Sequence, residues 1–102
     1  MPAPAPAPAP AKRKSDLRLK TNIQIVASSK YNVLGLRGVR WTWNDKANQL
    51  GLYGEAQGVI AQEVELLYPD AVVTTPSGYK AVRYDWLDAQ VEQIELSNAR
   101  GP

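Results

Sequence analysis

Every second residue from Pro2 to Pro10 is proline, with alanine between, and no other feature limits the fold as much. Each proline fixes φ near about −65° and lacks an amide donor, and each pushes the alanine before it away from the helical region. The segment is therefore predicted to run extended, as polyproline II, outside any helix or sheet. With Ala11 and the basic triplet Lys12-Arg13-Lys14 it makes an arm over residues 1–14, reaching about 40 Å at the polyproline II rise. The prolines stand an even number of residues apart, so the three-residue spacing of SH3 ligands is missing. The arm is either a stiff spacer or an anchor laid along a partner. What remains to fold is residues 15–97, followed by a short tail over 98–102.

So small a body buries only about 60–65% of its unfolded surface, which leaves a thin core. It has no staple, because the chain contains no cysteine and no histidine. The same absence excludes zinc fingers, thiol nucleophiles and Ser-His-Asp triads. Carboxylate chemistry, or a hydroxyl activated by lysine, is all that stays open, and no metal or cofactor is expected. The net charge of +2 is local: three of the twelve Lys and Arg residues sit at 12–14, and the 88 residues after them carry nine against ten acids. A nucleic-acid module needs a basic face on its folded part, so nucleic acid is not an expected partner. No run of about 20 apolar residues occurs, so no membrane span is expected either.

The periodicities predict an α+β fold: an aromatic strand, a central helix, a β-hairpin and a C-terminal helix. Leu17 and Leu19 suggest a short extended opening, and Ile23, Val26, Val33 and Leu34 a weak helical stripe ending near Gly35. Val39, Trp41 and Trp43 alternate with Arg40, Thr42 and Asn44 as in a half-buried strand. Residues 45–57 show no period and read as a loop. Val59, Ile60, Val64 and Leu67 fall on one side of a helix over 58–67, which Pro69 stops. Residues 71–74 and 79–84 flank Thr75-Pro76-Ser77-Gly78 as a hairpin. Tyr84, Leu87, Val91 and Ile94 then step by three, four and three, an a/d seam on a helix with no long partner helix in its own chain. That seam is predicted to close a homotrimer and complete the core. Trp41, Trp43, Ile60 and Val64 are predicted to be core rather than a ligand platform.

Two Ser/Lys pairs bear on chemistry. Ser77 and Lys80 have S-x-x-K spacing, but they straddle the hairpin turn, where one helical turn is needed to face lysine to serine, so they read as surface residues. Ser15 and Lys20 lie five apart, on opposite faces of a strand and far apart around a helix. They can meet only through a turn between them or across a subunit interface. A lysine that loses its proton can serve as base for a serine; burial and the cations Arg18 and Lys12–Lys14 favour that loss, and Asp16 opposes it.

Ser15-Asp16-x-Arg18-Leu19-Lys20-x-Asn22-Ile23 resembles the opening signature of the intramolecular chaperone domain of phage tailspikes and tail fibres, the self-cleaving family typified by endosialidases and classed as peptidase family S74. Leu36-Arg37-Gly38-Val39-Arg40-Trp41-x-Trp43 is similar to the family's aromatic strand. Gly58-Val59-Ile60-Ala61-Gln62-Glu63-Val64-Glu65 with Tyr68-Pro69 is similar to its most recognisable helix, and Gly78-Tyr79-Lys80-Ala81-Val82-x-Tyr84 with Leu87 to its last strand and helix. The resemblance spans about residues 15–96 in order. It implies a homotrimer that holds a fibre's strands in register while they fold, then leaves by cleavage beside Ser15, with Ser15 as nucleophile and Lys20 as general base. Implied partners are a phage fibre, tailspike or baseplate protein. The chain would be assembled in the host cytoplasm and either act in trans or stay in the virion as a fibre or baseplate cap. The competing reading is a structural virion adaptor whose Pro-Ala arm docks on a partner, with Ser15 and Lys20 inert.

Overall fold

The computed structural model describes residues 12–99, and the proline-alanine segment expected to be polyproline II lies outside them. In chain order the elements are strand β1 (Lys12–Lys14), a 3-10 turn (Leu17–Leu19), β2 (Lys20–Val26), a second 3-10 turn (Lys30–Leu34) and β3 (Gly38–Trp43). There follow helix α1 (Asp45–Gln49), β4 (Glu55–Gly58), α2 (Ala61–Leu67), a 3-10 turn (Pro69–Ala71), β5 (Val72–Thr74), β6 (Lys80–Arg83) and α3 (Tyr84–Ala99). The strands form two antiparallel three-stranded sheets, ordered β2-β3-β4 and β1-β6-β5. The fold is α+β, as the periodicities predict.

Alternation along β3 does what it should: Val39 and Trp41 are buried and Arg40 is exposed. Trp41 packs edge-on against the half-buried Trp43, with Ile60 and Ile23 beside them, in a small core on the β2-β3-β4 sheet. The larger core gathers Leu34, Leu36, Val59, Val64, Val82, Tyr84, Leu87 and Val91, from both sides of α2 and α3. The hairpin falls where the turn residues place it, with Val73 opposite Ala81.

Four expectations are corrected. The stripe over 23–34 is not a helix: its first part is β2, where β-branched Ile25 and Val26 pair with β3, and only Lys30–Leu34 coils, ending at Gly35 in the left-handed region (φ 78°). Residues 45–57 are not all loop. Asn44 caps the one-turn α1, and β4 completes a sheet edge where Ala56 is the sole apolar residue, too little to show a period. Within α2, Leu67 is exposed rather than core, because the helix ends before that face turns inward. Tyr84, Leu87 and Val91 are buried and Ile94 is half-buried against the core of their own chain, with α3 lying on the second 3-10 turn and the Pro69–Ala71 turn. Short elements of the same chain cover much of this stripe. The basic triplet is the fourth: extended as expected, it does not stand off as an arm, since β1 pairs with β6, Lys12 opposite Arg83 and Lys14 opposite Ala81.

Candidate active site

Immediately after β1, the chain buries three polar side chains within six residues: Ser15, Asp16 and Lys20. The backbone explains how Ser15 and Lys20 meet. The 3-10 turn over Leu17–Leu19 reverses the chain between them, closed by Leu19 N–H donating to Asp16 O (3.1 Å). Ser15 itself is pinned on both sides, its N–H donating to Lys80 O (3.1 Å) and its carbonyl accepting from Ala61 N–H at the start of α2 (2.9 Å). Of the two routes that spacing left open, the turn within one chain is the one taken.

Lys20 Nζ donates to Ser15 Oγ (2.9 Å), to Ser15 O (2.7 Å) and to Val59 O (2.8 Å). Ser15 Oγ donates to Val59 O and lies 3.2 Å from the Tyr84 hydroxyl, which accepts from Val59 N–H (3.1 Å). The approach of Tyr84 requires Gly58, since a Cβ there would stand 2.2 Å from the phenol oxygen.

Burial is the chief influence on Lys20 and lowers its pKa from 10.5 to about 7; Asp16 and Glu63 act against it, and Arg13 acts with it. The Trp41 ring, 3.7 Å from Nζ, also favours the ammonium form. Arg18, expected to repel the lysine proton, points the other way and closes a bidentate pair on Asp16.

Asp16 is a different kind of buried charge. Burial would raise its pKa, but the carboxylate accepts from Arg18 Nε and Nη2 (3.0 and 2.8 Å), Lys80 N–H (2.8 Å), Arg18 N–H (2.9 Å) and Gln62 Nε2 (2.9 Å), and together these hold it well below the usual carboxylate range. It ties the first turn to α2 and β6. Lys80, of the alternative Ser77 pair, is bound to Glu65 (2.6 Å), while Ser77 Oγ meets Thr75 Oγ1 in the exposed hairpin turn. That pair does not form.

The arrangement can deprotonate Ser15. An ammonium has three N–H groups and Lys20 spends all three on the partners above. A neutral amine keeps two, and the carbonyls of Ser15 and Val59 are placed to take them. The lone pair then faces Ser15 Oγ. Tyr84 and the Val59 carbonyl are the parts that sequence reasoning misses. A tyrosine at an apolar heptad position carries no mark that its hydroxyl reaches a serine 69 residues away.

Among the described residues no group of His, Cys, Asp or Glu gathers to hold a metal, and no helix is long and apolar enough to cross a membrane. A family model, peptidase S74, described as chaperone of endosialidase, matches residues 15–73. No curated protein and no solved structure matches the chain.

Proposed function

Because the chain belongs to the peptidase S74 family of endosialidase chaperones, we propose that it is a trimerisation chaperone for a phage tail fibre or tailspike that cuts its own backbone at Ser15. The observation that carries the catalytic half is the buried contact of Lys20 Nζ with Ser15 Oγ at 2.9 Å. Interwoven fibre strands lose much loop-closure entropy before their contacts form, so a clamp that sets register speeds assembly, and its later loss traps the product kinetically. Its place of work is the virion tail, assembled in the host cytoplasm, either in trans or as a retained cap. In the homotrimer, exposed Leu66 and Leu67 on α2 and Ile25 on β2 add apolar surface to the seam on α3.

Ring size selects the bond. Attack of Ser15 Oγ on its own carbonyl would close a four-membered lactone, whereas attack on the Lys14 carbonyl closes a five-membered ring. Neutral Lys20 takes the hydroxyl proton as Oγ bonds to the Lys14 carbonyl carbon. The Lys14–Ser15 C–N bond breaks, the proton passes from Lys20 to the departing Ser15 nitrogen, and the resulting ester takes up one water to free the Lys14 carboxyl and restore the Ser15 hydroxyl.

Co-expression with the C-terminal part of a phage fibre tests the chaperone. Wild type should raise the yield of detergent-resistant fibre trimer, and Ser15→Ala should do so while remaining at full length. Equal trimer yield with and without the chain would reject the chaperone and favour the adaptor.

A further inference from the structure

The geometry points to Tyr84 as a third catalytic residue, its phenol a hydrogen-bond donor to Ser15 Oγ as that oxygen loses its proton to Lys20. This rests on the self-cleavage proposed above. The phenol has one proton and two neighbours. Val59 N–H already donates to its oxygen at 3.1 Å, so the phenol proton is free for Ser15 Oγ at 3.2 Å. In the resting arrangement Ser15 gives its own proton to the Val59 carbonyl. When neutral Lys20 draws that proton instead, the serine oxygen gains electron density, and Tyr84 is the remaining side chain whose O–H can meet it. A donor preorganised where charge develops, inside a dry site, favours the transition state over the resting one.

Three further features fix the phenol. Gly58 leaves room for it. Tyr31 packs edge-on against its ring, centroids 6.0 Å apart. The Arg13 guanidinium covers that ring 4.3 Å from the centroid, and Arg13 lies two residues before Ser15, on the part of the chain that cleavage removes. Substrate segment and catalytic phenol are thus in contact before the reaction.

The test measures cleavage by intact mass in wild type, Tyr84→Phe and a chain carrying 3,5-difluorotyrosine at 84, whose phenol is the stronger acid, with thermal melting of each. Tyr84→Phe should cleave about a hundred- to a thousandfold more slowly, the range for loss of one catalytic donor. The fluorinated chain keeps ring and hydroxyl, so it guards against a Phe variant that fails to fold. Its rate should fall at high pH, as its phenol ionises and can no longer donate, where wild type stays level. If wild type cleaves and the fluorinated chain follows the same pH profile, or a folded Tyr84→Phe keeps the wild-type rate, Tyr84 is not catalytic while the dyad stands. If wild type stays at full length at every pH, the self-cleavage reading fails and this inference falls with it.

Discussion

Asp16 and Lys20 are both buried charges at one turn of chain, yet they are built for opposite ends. Asp16 collects donors from three elements until its charge is fully answered. Lys20 is given carbonyl and hydroxyl oxygens and an aromatic face, with no carboxylate in direct contact. A charge matched by charge-assisted bonds becomes a structural rivet; one matched only by neutral dipoles keeps the option of losing its proton. The fold needs the first to place the second, since Asp16 holds the turn that returns Lys20 to Ser15.

The largest effect should come from breaking the rivet. Asp16→Ala orphans the Lys80 and Arg18 amides together and should cost about 1–3 kcal/mol for each in denaturant melts. In wild type the depressed pKa of Asp16 contributes stability above the ordinary value of 3.8, lost only as pH falls through the lower folded value. Asp16→Ala should therefore melt with little further change through that acid range.

Next is Gly58→Ala, whose Cβ must displace the Tyr84 hydroxyl and should cost about 1–3 kcal/mol by overpacking. Mass spectrometry should also show slower cleavage in it, because the phenol that meets Ser15 has moved.

Lys20→Met should run against the usual direction and stabilise the protein near neutral pH. Both carbonyls that Lys20 contacts keep a donor, Ser15 O from Ala61 N–H and Val59 O from Ser15 Oγ. Between pH of about 7 and 10.5 the unfolded wild type holds a proton that the folded chain has released, so wild-type stability rises with pH across that window. The advantage of Lys20→Met should be greatest below pH 7 and vanish towards 10.5, read from melting temperatures at pH 6, 8 and 10. A melting temperature lowered at pH 6 would overturn the contrast with Asp16.

The smallest effect is expected of Arg13→Gln. Arg13 is one of the influences that lower Lys20, so its loss should move the Lys20 midpoint upward, observed by NMR titration of the side-chain Nζ in a Ser15→Ala background.

How much of this the sequence could show depends on what each residue's neighbours are. The aromatic strand and the hairpin were legible because their apolar alternation and turn residues are local. The stretch from Ile23 to Leu34 was not, since four apolar residues spread over strand and 3-10 turn mimic a helical stripe. The α3 seam was legible as apolar, but nothing local shows that the turns at Lys30–Leu34 and Pro69–Ala71 pack on it. At the site, the family motif named Ser15 and Lys20, while their distance depended on the turn between them. Tyr84 and Val59 reach the serine only through tertiary structure.

The central claim is that Lys20 is the base and must be neutral to act. The most direct measurement is the rate of self-cleavage from pH 5 to 10 by intact mass, with Ser15→Ala and Lys20→Ala beside wild type. The account predicts a product beginning at Ser15, a rate that rises with one ionisation near pH 7 and then levels, and no product from either variant. Full-length wild type across the whole range, or cleavage that persists in Lys20→Ala, would contradict it.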